Sequence, residues 1–104
     1  MSAEKRLAML EGLIEGGSTD AFAHYGLALE YKKLDRWEDA LRIFEKLRAI
    51  DPAYVPQYLM CGQMLADLDR DDDARSWFEA GIKMAESAGN QHALSELRDA
   101  LESL

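Results

Sequence analysis

The chain has 104 residues, 48% of them hydrophobic, enough for one domain with a real core of marginal stability. Its 20 acidic against 12 basic residues give a net charge of −8, and no basic cluster exceeds Lys32-Lys33. Neutralising phosphates requires clustered cations, so neither nucleic acid nor an acidic membrane surface is expected as a partner.

Nowhere does an apolar run approach the roughly 18 residues of a membrane span. The opening Met1-Ser2-Ala3-Glu4-Lys5-Arg6 leads into an amphipathic segment, so no secretory signal is expected. Cys61 is the single cysteine, so no internal disulfide can form; this suits a reducing cytoplasm, the expected location. One thiol with no histidine at ligand spacing cannot build a zinc site.

Six helical segments are predicted in chain order. The first runs from Ala3 to Glu15, with Leu7, Leu10 and Ile14 at helical spacing and Gly16-Gly17 as its stop. Ser18-Thr19-Asp20 supplies capping side chains for the second, Ala21 to Leu34. Asp35 is the expected cap of the third, Trp37 to Ile50, whose first turn carries Glu38 and Asp39 at the positive end of the dipole. Glu38 with Arg42 is a favourable i,i+4 pair, and Pro52 ends the helix. The fourth is expected from Tyr54 to Leu68 with Pro56 in its first turn, and the fifth from Asp71 to Ala88. Gly89-Asn90 closes the fifth and caps the last, Gln91 to Leu104.

The chain also repeats itself. Leu34-Asp35-Arg36-Trp37-Glu38-Asp39-Ala40, followed by Phe44-Glu45, returns 34 residues later as Leu68-Asp69-Arg70-Asp71-Asp72-Asp73-Ala74, followed by Phe78-Glu79. A period of this length with helical patterning points to stacked helix–turn–helix units. Small residues at Ala28, Gly62, Ala40 and Ala74 allow two helices to approach closely, with Phe44 and Phe78 filling the space beside them and Tyr31 and Leu65 opposite.

On these residues, positions 20 to 86 resemble two tetratricopeptide repeats. The family pattern has W-x2-L-G-x2-Y, then A-x3-F, then P. The first repeat matches at Leu27, Tyr31, Ala40, Phe44 and Pro52, with His24 for the Trp and Ala28 for the Gly. The second matches at Gly62, Ala74 and Phe78 and departs at Tyr58, Cys61, Leu65 and Glu86. The resemblance implies an all-α solenoid of about six antiparallel helices in a right-handed stack. Its parts would be a partial-repeat helix over 1–17, repeats over 20–53 and 54–87, and a terminal helix over 90–104. Leu10, Glu11 and Leu13 lie one period before Phe44, Glu45 and Leu47, so the first helix reads as the second member of an incomplete pair. The last helix, Leu94-x2-Leu97-Arg98-x2-Leu101, echoes a first helix, with Arg98 where close packing needs a small residue; this suits an end with one wet face.

No residue pattern points to catalysis. His24 lacks sequence neighbours that would make it a base or ligand and is expected in the core; His92 is expected at the surface. Cys61 falls on the packing face as a buried, unreactive thiol. Asp67-x-Asp69-x-Asp71 begins like a calcium loop, but Asp72 stands at the required Gly and Phe78 at the required Glu, so the segment reads as a solvated turn with an N-cap. No enzyme activity, cofactor or metal is expected.

The second helix has two stripes. His24, Leu27, Ala28 and Tyr31 form the packing stripe; Phe22, Tyr25, Leu29, Lys32 and Lys33 form another. The fourth helix continues the latter with Pro56, Leu59, Gln63 and Ala66. The resemblance implies that this face lines a concave groove for a peptide or partner helix; the alternative is that the terminal helices cover it. The variants of the family that clamp chaperone carboxylates carry Lys and Asn where this chain has Tyr25 and Leu29, so an apolar groove with a cationic edge is expected instead. The reading is a non-enzymatic adaptor for a protein or peptide partner. The alternative is a structural protein that self-assembles through its repeat ends, a homo-oligomer.

Overall fold

A computed structural model of the protein describes residues 2–104; Met1, the first position of the expected 1–17 segment, lies outside them. Among the described residues there are six helices and no strand: α1 (Ala3–Glu15), α2 (Ala21–Lys33), α3 (Trp37–Ile50), α4 (Pro56–Asp67), α5 (Asp71–Ala88) and α6 (Gln91–Glu102). The chain divides into two compact units, one ending at Asp51 and one running from Pro52 to Leu104, each with three helices. None of these helices is long and apolar enough to cross a membrane.

In the first unit, α1 is capped by Ser2, whose side chain accepts from the Lys5 N–H at 3.2 Å. It stops at Gly16-Gly17, where Gly17 takes φ +91° and the Ser18 N–H returns to the Leu13 carbonyl at 3.0 Å. Asp20 caps α2 through the Phe22 N–H at 3.1 Å. Packing of α2 against α1 and α3 buries Leu10, Leu27, Ala28, Tyr31, Ala40, Ile43, Phe44 and Leu47.

The turn between α2 and α3 departs from expectation. Asp35 does not cap α3: Arg36 holds the cap position and no side chain caps the helix there. Asp35 instead adopts the left-handed conformation, φ +58°, and the Arg36 N–H reaches back to the Tyr31 carbonyl at 3.0 Å. This closes α2 as a six-to-one helix stop, with Asp in the position glycine usually takes; Asp tolerates that region because its short polar side chain bonds locally. Arg36 then turns its Nε to Asp39 Oδ2 at 2.9 Å, and Arg42 stands 3.6 Å from Asp39 Oδ1.

The second unit repeats that device. Asp69 has φ +59°, the Arg70 N–H donates to the Leu65 carbonyl at 2.9 Å, and Arg70 Nε donates to Asp73 at 3.1 Å. The repeated Leu-Asp-Arg is therefore a stop signal with an arginine clasp. The expected N-cap on this turn is likewise absent. Helix α4 starts at Pro56, two residues later than predicted, because Pro lacks an N–H and is preorganised for the first helical position. Its core is Tyr58, Cys61, Met64, Leu65, Ala74, Trp77, Phe78, Leu94 and Leu97. Gly89, at φ +68°, ends α5, and the Asn90 side chain accepts from the Ala93 N–H at 3.0 Å to cap α6. Helix α6 ends at Glu102, two residues before its predicted limit, with Arg98 exposed as expected.

Candidate functional site: the exposed stripe of the first helices

Helix α2 buries two of its sides and leaves one open. The packing stripe His24, Leu27, Ala28 and Tyr31 is buried, as is Ala23. His24 Nδ1 lies 2.8 Å from the Asp20 carbonyl, a contact that places its proton on Nδ1 and satisfies it within its own helix. Phe22 on the open side is 73% exposed, the most exposed large apolar side chain among the described residues. Tyr25, Leu29 and Lys32 are half-buried beside it and Lys33 is exposed. These five predicted residues share one face because they recur at three- and four-residue steps. On α4, Leu59 is half-buried and Gln63, one turn on, is exposed.

One electrostatic feature at the edge was not legible in the sequence. The Glu30 carboxylate, with its side chain 9% exposed, receives Arg6 Nη1 at 2.9 Å and stands 3.6 Å from Lys33 Nζ. Lys33 is thus partly engaged within its own helix. Glu30 with Lys33 is readable as an i,i+3 pair, but Arg6 comes from 24 positions away and carries no local signal.

A second polar link joins the same helices. The Tyr31 hydroxyl donates to Glu11 Oε2 at 2.6 Å, and the Arg36 guanidinium lies over the Tyr31 ring, 4.4 Å from its centroid. Burial, and then the neighbouring Glu11 carboxylate, push the Tyr31 phenol above its usual 10.0.

Chemistry-bearing residues elsewhere are occupied structurally. Cys61 is buried. In the acidic run, Asp72 accepts from Arg75 at 3.1 Å and Asp73 from Arg70. His92 is exposed, 3.0 Å from Glu96. Among the described residues no group of three or more His, Cys, Asp or Glu is placed to hold a metal ion.

Helix–turn–helix units with small residues under large ones, in 34-residue register, define a helical-repeat protein. The family model of the tetratricopeptide repeat matches residues 21–54. The chain is 43% identical to a tetratricopeptide repeat domain protein from Salinibacter ruber in its solution structure, over 81% of this chain and 85% of that one, with a TM-score of 0.76. The crystal structure of a tetratricopeptide repeat domain protein from the same organism gives 44% identity over 79% and 92%, with a TM-score of 0.73. A protein from Bordetella parapertussis shares the fold, with a TM-score of 0.78 at 24% identity over 93% and 84%. None of the curated proteins matches the chain. The chain belongs to the tetratricopeptide repeat family, whose members act in general as protein–protein interaction modules.

Proposed function

We propose that the chain is a non-enzymatic adaptor that holds a peptide or helix of a partner protein along Phe22, Tyr25 and Leu29 of the first unit, with Leu59 and Gln63 offering the corresponding face of the second unit. Lys32 and Lys33 engage an acidic group at the edge. The observation that carries this reading is Phe22, a large aromatic left 73% exposed on a helix whose other sides are used for packing. An exposed aromatic continued by half-buried apolar side chains on one helix face offers a surface that an interface can cover. The side chains suit such an interface. Two aromatics and two leucines supply contact area, while cations at the rim steer an acidic partner without carrying most of the affinity. A reducing cytoplasm suits the single buried thiol.

Amide NMR mapping of the labelled chain with a purified partner peptide tests this reading. Shifts at Tyr25, Leu29 and Gln63 are expected. Shifts confined to the second helices, around Leu41, Arg48 and Arg75, would put the interface on the opposite side and overturn it.

A further inference from the structure

Helix α1 follows the pattern of a second helix, and its counterparts show what normally covers that pattern. One period on, Met9 corresponds to Ile43 and Leu13 to Leu47; two periods on, they correspond to Trp77 and Gly81. In the second unit this face lies under the first helix of its pair: the Trp77 ring is 5.9 Å from that of Tyr58, and a Cβ on Gly81 would stand 2.5 Å from Tyr58 Cβ. Ile43 and Leu47, in the first unit, are fully buried. On α1 only the inner edge is covered, with Leu10 against Gly26 of α2. Met9 and Leu13 remain 47% and 45% exposed, and a Cβ on Gly12 between them would meet nothing within 4 Å.

We propose that this face docks an amphipathic helix of a partner protein, antiparallel to α1, with acidic residues in its last turn. The complete pairs supply the geometry, since in them an antiparallel first helix covers this register. Charge supplies the chemistry. Lys5 precedes Met9 and Leu13 in the same four-residue row, and Arg6 stands where the complete pairs have Ala40 and Ala74. Arg6 and Lys33 share the one carboxylate of Glu30. Cations therefore outnumber carboxylates at the amino-terminal end of α1, Lys5, Arg6 and Lys33 against Glu4 and Glu30, on a chain of net charge −8. An antiparallel helix brings its carboxyl end there, where acidic side chains meet those cations. A second copy fits less well. Every large apolar side chain found exposed among the described residues lies in the first unit, and α6 presents the exposed Arg98 where a close contact needs a small residue.

The chain contains its own probes. A peptide of residues 55–69 with Cys61→Ser carries a first helix with Asp67 at its end; one of residues 21–35 has the same register but carries Lys32 and Lys33 there. Each is stapled on its solvent side to hold it helical and titrated into the full labelled chain. The acidic-ended peptide is expected to shift the amides of residues 5–13 and to bind about tenfold more tightly than the basic-ended one at low salt. Leu13→Glu should abolish its binding, and Lys5→Glu should remove the difference between peptides; both side chains are exposed, and circular dichroism checks that the fold is retained. Shifts on other helices alone, no shifts, or equal affinities would overturn the proposal. So would a concentration-dependent mass that Leu13→Glu reduces, which would give the face to a second copy. Lys33 borders both faces, so the test is read on Lys5 and Leu13, which belong to α1 alone: shifts of α1 amides and shifts of the α2 stripe distinguish this proposal from the reading above.

Discussion

Gly62 and Phe78 occupy the same space: a Cβ on Gly62 would lie 2.3 Å from Cε1 of Phe78 and under 3 Å from two further ring atoms. The glycine is therefore what lets α4 and α5 close on the ring. Gly62→Ala should cost about 1–3 kcal/mol through overpacking, and Phe78→Ala about 3–5 kcal/mol through a cavity. In the double variant the new methyl enters the vacated space, so its cost should fall below the sum of the single costs. A double-mutant cycle by urea denaturation reads this, and strict additivity would refute the contact.

Phe44 is the counterpart of Phe78 and is fully buried in the first unit. Phe44→Ala should also cost about 3–5 kcal/mol, a large part of a marginal total. An unmoved melting temperature would contradict its place in the core.

Tyr31 ionises with difficulty in the fold, because burial and Glu11 raise its pKa above 10.0. The folded chain thus holds this proton more tightly than the unfolded one. The associated stability is fully present below pH about 10 and is lost as pH rises through the folded value. Tyr31→Phe should cost about 1 kcal/mol at pH 8 by deleting the bond to Glu11, and the difference from wild type should shrink at alkaline pH. Urea denaturation of both proteins across that range measures it; a constant difference would rule out the linkage.

Cys61 is fully buried, so a thiol reagent must wait for the fold to open. Labelling should be slow in native buffer and fast in denaturant. Fast native labelling would mean that the core around Cys61 opens readily.

Tyr25→Ala should weaken partner binding by more than about 1 kcal/mol, since aromatic anchors dominate such interfaces. Lys32→Ala and Lys33→Ala should act mainly on association and lose their effect as salt is raised. Titration calorimetry and stopped-flow at two ionic strengths distinguish these roles. Equal affinities of wild type and Tyr25→Ala would remove the stripe from the interface.

Much of this architecture follows from local sequence. Repetition of Leu-Asp-Arg and of Ala-x3-Phe announced the period, and α1, α3 and α5 span the residues that spacing, Gly16-Gly17 and Gly89-Asn90 predict. Capping and helical periodicity act over a few residues, so sequence alone reveals them. Asp35 marks where that reasoning stops. Asp is a good helix cap and also tolerates the left-handed region; the return of the Arg36 N–H to Tyr31 and the clasp of Arg36 on Asp39 select the second role. The same holds for the polar links of α1 to α2. Arg6 reaches Glu30 and Tyr31 reaches Glu11 only because folding brings together residues 20 or more positions apart, and the open edge of α1 at Met9 and Leu13 is likewise set by which helices pack against it. Periodicity specifies which residues share a face; only tertiary packing decides which face is left to solvent.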